Sequence, residues 1–336
     1  MNKLEIYKYI KNHIELCQVE KVSALEAIGR VSAERLEACI DIPNSNKAKY
    51  DGFAIHLMDY EKINYNHNST QLKIIGSLGA GHCIQKELLP GTTINIMTGA
   101  EVPNNTAYVV PSEFANVISQ EEVIIKKINP ILDTIDFKGE NCKKGQLVLD
   151  KNKIIDRNTI FDITNQGFKY IKVYKKPRVV ILSTGDEISK IGTPYKRGIV
   201  YNSTSYAIAA DIINHGGEVI IIDHLLDNID EIVKGVEKFC KEADMVITTG
   251  GIAKGKFDYT KFIHKYIPTN ILFMERDKPP RIIVSKLQDK WIINLSGSPR
   301  ATFVSLEHVV IPILKTMLGI LNKGERKYDS CNSRRV

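Results

Sequence analysis

Apolar and polar positions along the 336-residue chain change rhythm three times. From Lys3 to Leu16 apolar residues recur at helical spacing, which predicts a helix; a second is expected after Ser23, with Leu25, Ile28 and Val31 on one side. Between about Ile42 and Phe137 the helical period is missing. Short β-branched runs ("QLKII", "TTINIM", "AYVV", "EVIIKKI") stand among Gly, Pro and Asn, the pattern of a small all-β domain. From Asn141 to Tyr174 short apolar segments return around Gly145 and Gly167 and are expected to pack back on the opening helices, making the β region an insertion.

Beginning at Pro177, strands and helices alternate. "RVVILST" is followed by a helix over 203–214 closed by Gly216 and Gly217, then by "EVIIID", a helix over 229–241, "DMVITT", and a helix starting at Asp258. Helix 229–241 places Ile232, Val233, Val236, Phe239 and Cys240 on one stripe, as a helix lying on a sheet does. A hairpin about Gln288, Asp289 and Lys290 and an apolar helix over 301–318, kinked at Pro312, complete the pattern. The fold class expected is α/β: a doubly wound, mostly parallel sheet, plus an elongated N-terminal region carrying an inserted small all-β domain. The expected domains are 1–43 with 141–176, 44–140 and 177–320, followed by a basic tail over 321–336.

Composition changes this picture little, because 43% apolar and 25% charged residues are ordinary for a globular protein. The net charge of +7 favours anionic partners, yet the acidic residues are interspersed with the basic ones, and no zinc-finger spacing or aromatic-basic motif points to nucleic acid. The six cysteines form no C-x-x-C pair, which argues against a disulfide framework and a thiolate zinc site. A signal peptide and a membrane-spanning run are both missing from the pattern, so a cytoplasmic location is expected.

Candidate chemistry gathers at strand ends. "STGDE" (183–187), "TTGGIAKG" (248–255) and "LSGSP" (295–299) each end a predicted strand in a glycine-containing turn; if those strands are neighbours, the turns line one crevice. Glycine there lets backbone approach a ligand, and free amides at a helix start bind phosphate or oxyanion. Each turn alone is also what a tight connection requires. Asp186 and Glu187 are suited to hold Mg²⁺ or to position a nucleophile, and equally to cap a helix. "RDKPPR" (276–281) sets basic residues around a rigid Pro-Pro pair that can hold an oxyanion, or is a solvated loop. Asp51-Gly52 and Thr98-Gly99 are polar residues beside glycine in the β region, where ordinary turns also need them. Zinc-hydrolase, nucleophile-elbow and Walker spacings are missing. The residues alone describe an anion-binding crevice acting on a phosphorylated or pyrophosphate-containing small molecule.

Taken in order, "IPNSNKAKYDGFAIH", "GTTINIMTGAEVP", "GENCKKGQLVL", "KKPRVVILSTGDEI", "YNSTSYAIAADIINHGGEVI" and "ADMVITTGGIAKGKFDYTK" resemble the molybdopterin molybdenumtransferases of the MoeA type, relatives of the gephyrin E domain, over about residues 15–320. The resemblance implies a MogA/MoaB-like α/β domain, a homodimer with the active site between subunits, and a reaction in which molybdate enters adenylated molybdopterin and AMP is released with Mg²⁺ assistance. Carried over by motif, Asp51, Thr98, Asp186, Glu187 and Asp258 are catalytic positions, and Asp186, Glu187 and Asp258 the metal positions. Ser183, Thr184, Gly185, Gly250, Gly251, Lys278, Arg281, Ser296 and Ser298 are the substrate-binding positions. A molybdopterin adenylyltransferase is the implied partner, with no nucleic acid and no membrane.

The departures are local. Where relatives commonly read G-E-D, this chain has Gly139, Glu140 and Asn141; where they read S-x-G-D or S-x-G-E, it has Ala253, Lys254, Gly255 and Lys256. "LSGSP" stands for the more usual L-P-G-N-P, and no counterpart of the family's C-terminal β domain is expected. Losing two carboxylates weakens cation binding and favours direct oxyanion binding. Three readings follow: the transferase; an impaired paralog that binds molybdopterin or a related nucleotide without metal transfer; and a pyrophosphate-cleaving enzyme acting on a related nucleotide.

Overall fold

The computed structural model describes residues 10–66, 69–82, 87–252, 259–275 and 282–320. The chain divides into two compact units: one of 1–35, 149–164 and 168–336, the other of 36–148 with 165–167.

The larger unit is built on a six-stranded sheet. Its strands are β1 (Arg178–Thr184), β2 (Glu218–Leu225), β3 (Met245–Thr249), β4 (Asn270–Met274), β5 (Ile282–Leu287) and β6 (Lys290–Leu295), in the order β2-β1-β3-β6-β5-β4. β2, β1, β3 and β6 are mutually parallel, while β5 pairs antiparallel with both β6 and β4 at one side. Strands buried on both faces need continuous apolar runs, and "VVIL" of β1, "MVI" of β3 and "WII" of β6 supply them. One face carries α1 (Ser203–Asn214) and the C-terminal helical run, packing Ile208, Ile212, Leu306, Val310 and Leu314 against Ile181, Ile247 and Trp291. The other carries α2 (Ile229–Cys240), whose Ile232, Val236 and Phe239 meet Val180, Val246 and Ile292. α2 begins at Asn228, whose side-chain oxygen accepts from the amides of Asp230 and Glu231 at 2.9 and 3.2 Å. The hairpin of β5 and β6 turns at Gln288, which takes φ +56°.

Four local expectations are corrected. The helix after Ser23 is a single turn: Ser23 and Glu26 form a capping box, but Gly29 at φ +74° ends the turn and leaves Leu25 and Ile28 exposed. The opening helix stops short of Leu16, since residues 14–18 are irregular. Val19–Ser23 then pairs antiparallel with Tyr170–Tyr174. The C-terminal helix departs from regular geometry over Leu306–Val310, where the wider i→i+5 spacing accommodates the N–H that Pro312 lacks. Between β3 and β4 the helix expected from Asp258 is, among the described residues, a short piece, Ile263–Tyr266, after a 3₁₀ turn.

The smaller unit holds a second six-stranded sheet, ordered Thr106–Pro111, Gly52–His56, Thr92–Ile96, Thr70–Leu78, Glu122–Ile125 and Ala115–Val117. Apolar clusters cover both its faces, one around Ile94, Ile96 and Val109, the other around Phe53, Leu72 and Val123. The β region also contains a helix that the apolar pattern did not predict, Leu57–Asn66. Its inward side carries Asp59, 1% exposed, which accepts from the amide of Gly91 at 2.7 Å; a buried carboxylate interrupts the stripe that would have revealed the helix.

Candidate functional site

At the carboxyl ends of parallel strands the backbone leaves the sheet, and three neighbouring strands here leave it in glycine turns. β1 ends at Thr184, β3 at Thr249 and β6 at Leu295, and these strands are adjacent in that order. The turns touch. A Cβ placed on Gly250 would lie 2.8 Å from the carbonyl oxygen and from Oγ1 of Thr184, and one on Gly297 would lie 3.4 Å from Cα of Gly250. The Gly250 amide donates to the carbonyl of Leu295 at 3.1 Å, joining the second turn to the third. Gly250 and Gly251 take φ of +97° and +67°, conformations that side chains rarely adopt. Thr260 closes the turn from behind, its hydroxyl donating to the Gly250 carbonyl at 2.7 Å.

The first turn carries the carboxylates. Asp186 and Glu187 are exposed, whereas Ser183 and Thr184 just before them are buried. Asp186 accepts from the amide of Asp227 at 3.2 Å. Glu187 folds over Gly185: a Cβ there would lie 2.7 and 2.8 Å from its two carboxylate oxygens, so glycine provides the space that the carboxylate fills. Ser183 Oγ accepts from Asn202 Nδ2 at 2.9 Å, and Thr184 Oγ1 donates to the carbonyl of Thr249 at 3.3 Å. In the third turn Ser296 Oγ accepts from the amide of Ser298 at 3.2 Å, leaving both residues beside the Gly297 approach. The structure thus brings Ser183, Thr184, Gly185, Asp186, Glu187, Gly250, Gly251, Ser296 and Ser298 to one edge of one sheet. Asp258, Lys278 and Arg281 lie outside the described residues, as do Lys254 and Lys256.

The smaller unit places Asp51 and Thr98 together. One carboxylate oxygen of Asp51 accepts from both the amide and the hydroxyl of Thr98, each at 2.7 Å. Those two bonds, the amide first, hold the Asp51 carboxyl below its ordinary value of 3.8. Lys47 Nζ lies 3.5 Å from the carbonyl of Gly99 in the next turn residue. Asn141 is exposed, and its amide donates to the carbonyl of Ile42 at 3.0 Å.

Sequence reasoning missed Asp227, His224 and Asn202. For Asp227 a signal existed: it follows an apolar strand and precedes the cap of α2, which puts it on the same sheet edge as the glycine turns. His224 and Asn202 become visible only through the register that sets them beside Ser183.

Residues 3–167 match the MoeA N-terminal region (domain I and II), and residues 180–316 match a probable molybdopterin binding domain. A molybdopterin molybdenumtransferase of Staphylococcus epidermidis is 32% identical over 319 residues, covering 94% of this chain and 75% of the relative.

The chain belongs to the MoeA family of molybdopterin molybdenumtransferases.

A second family member, from Staphylococcus aureus, is 33% identical over 303 residues, covering 89% of this chain and 72% of its own length. The crystal structure of the molybdopterin biosynthesis MoeA protein from Pyrococcus horikoshii superposes with a TM-score of 0.80 at 26% identity, covering 96% of this chain and 81% of that one. The glycine turns and the Asp186 turn all lie within the stretch matched by the molybdopterin binding domain, and the Asp51–Thr98 pair within the MoeA N-terminal region. Among the described residues no helix is long and apolar enough to cross a membrane.

Proposed function

We propose that this protein inserts molybdenum from molybdate into adenylated molybdopterin and releases AMP, a late step of molybdenum cofactor biosynthesis. The observation that carries the reading is the contact of three glycine turns, Thr184–Gly185, Gly250–Gly251 and Ser296–Ser298, beside the Asp186–Glu187 carboxylates in a matched molybdopterin binding domain. The side-chain-free positions Gly250, Gly251 and Gly297 let the backbone of the turns come close to the anionic phosphates of the pterin nucleotide. The hydroxyl of Ser296 supplies a neutral polar contact at the same edge, while those of Ser183 and Thr184, assigned there by motif, are buried and brace the turn from within. Lys278 and Arg281 are assigned to the substrate phosphates by their motif positions.

Mg²⁺ fits the donor set of the turn. Among the described residues no group of three or more His, Cys, Asp and Glu converges on one point, while Asp186 and Glu187 offer exposed hard oxygens. That is the donor pattern of a cation held by one or two carboxylates and completed by water and substrate phosphate, not of a closed protein cage. Asp186 and Glu187, with Asp258, would hold it, and when bound it would neutralise charge on the pyrophosphate. Asp51 and Thr98 are assigned, by their motif positions, as polar active-site residues of the β unit. The protein acts as a homodimer and receives its substrate from a molybdopterin adenylyltransferase.

Purified protein given adenylated molybdopterin, molybdate and Mg²⁺ is expected to release AMP and to yield pterin carrying molybdenum. Tight binding of the pterin nucleotide with neither product would replace the transferase with a substrate-holding paralog, the outcome that Asn141 and Lys256 favour by removing two of the family's usual carboxylates. AMP without molybdenum in the pterin would point to pyrophosphate cleavage alone. Light scattering is expected to give twice the 37.8 kDa chain mass; a monomer at every concentration would remove the shared-site arrangement.

A further inference from the structure

We propose that His224 is a positioning residue for the carboxylate turn at Asp186, acting through the hydroxyl of Ser183; this rests on the reading of that turn as part of the transferase site. β2 is the edge strand of the sheet, held only by β1 among the described residues, and His224 sits opposite Ser183 in their parallel register. His224 Nδ1 lies 3.2 Å from Ser183 Oγ. The same oxygen accepts from Asn202 Nδ2 at 2.9 Å and stands 3.4 Å from the carbonyl of Asp223. A serine hydroxyl has one proton and two lone pairs. Asn202 takes one lone pair. Then either the imidazole donates to the second and the proton turns to Asp223, or the proton goes to Nδ1. Without the imidazole the proton of this buried group, 2% exposed, keeps only the long contact to Asp223.

The two strand ends are tied again three residues further on. The amide of Asp227, leaving β2, donates to the carboxylate of Asp186, leaving β1. Asn202 extends the clamp to a third element: its amide donates to the carbonyl of Ser189 at 2.9 Å, and its side chain serves Ser183 instead of capping α1. One hydroxyl therefore joins the exits of β1 and β2 to the entry of α1, three residues before the exposed Asp186. Releasing His224 frees the end of an edge strand, and with it the amide that orients Asp186.

The test uses the full chain with His224→Leu, which fills the space without a polar atom, and His224→Asn, which puts a polar atom where Nδ1 stands. His224→Leu is expected to speed hydrogen exchange at the Asp227 amide about tenfold, with exchange along β3 unchanged. It should lower kcat for AMP release about tenfold while KM for adenylated molybdopterin stays within about twofold, and His224→Asn should restore both to within about threefold of wild type. Ser183→Ala repeats the exchange measurement should the leucine variant fail to fold, and the same acceleration at Asp227 is expected. Unchanged exchange at Asp227 in the leucine and alanine variants, or equal losses in the asparagine and leucine variants, overturns the proposal. If wild type releases no AMP, exchange still decides: acceleration with leucine but not asparagine keeps the positioning role and removes the transferase reading alone.

Discussion

Thr98 donates twice to a single carboxylate oxygen of Asp51, through its amide and its hydroxyl, each at 2.7 Å, across 47 residues of sequence. Hydrogen bonds to an ionised acceptor favour the charged form, so the Asp51 carboxyl titrates below 3.8. The sign follows from that direction. A depressed folded-state value stabilises the fold at pH above 3.8, and the contribution disappears as pH falls through the lowered value. Thr98→Val removes the hydroxyl and is expected to move the Asp51 titration up toward 3.8 while the amide bond keeps it somewhat lower. Carboxyl-carbon NMR titration of both proteins reads this directly; identical midpoints would show that the hydroxyl bond does not form in solution.

Two glycines are expected to be intolerant of alanine for different reasons. At Gly52 a Cβ would lie 1.9 Å from the carbonyl oxygen of Val110, so Gly52→Ala forces the edge strand Thr106–Pro111 away from Gly52–His56 and should cost roughly 3 kcal/mol or more. At Gly250 the obstacle is a carbonyl at 2.8 Å together with φ +97°, and Gly250→Ala should cost roughly 1–3 kcal/mol and weaken pterin nucleotide binding as the turn shifts. Urea unfolding monitored by tryptophan fluorescence suits the second substitution, since Trp291 is buried in the same unit. Stability equal to wild type in either variant would contradict the backbone geometry described for it.

Thiol reactivity should sort by burial. Desolvation pushes Cys17 up to about 12, with Asp244 adding to the shift and Lys290 opposing it, and pushes Cys240 up to about 11. At pH 8 roughly one Cys17 in ten thousand is thiolate, the reactive form. Cys39 is exposed. Brief alkylation of native protein followed by peptide mass spectrometry is expected to modify Cys39 and to spare Cys17 and Cys240 until urea is added. Early modification of Cys17 would mean that the segment covering it opens freely.

Much of the α/β unit was legible because its elements announce themselves locally. α2 was visible from five apolar residues on one stripe, and β1, β3 and β6 from unbroken apolar runs ending in glycine. Their adjacency, on which the shared crevice depends, is a condition that the apolar pattern leaves open and the sheet order meets. Other features are set by tertiary context. Asp59 is an acid facing inward on the helix Leu57–Asn66, so apolar periodicity could not reveal that helix. Ser23 and Glu26 form a genuine capping box, yet the chain abandons the helix at Gly29, since only Ala27 of that turn finds a buried position. The meeting of His224 with Ser183 depends on the register of two strands 40 residues apart, which hydrophobic patterning does not encode.

The most direct test of the account compares wild type with Asp186→Asn in the presence of adenylated molybdopterin, molybdate and Mg²⁺, following AMP and the molybdenum content of the pterin. Asparagine keeps the size and the acceptor for the Asp227 amide but removes the charge. Wild type is predicted to form both products, and the variant to form them about 100-fold more slowly while still binding the pterin nucleotide. Equal rates in the two proteins would contradict the assignment of the Asp186 turn as the reacting centre.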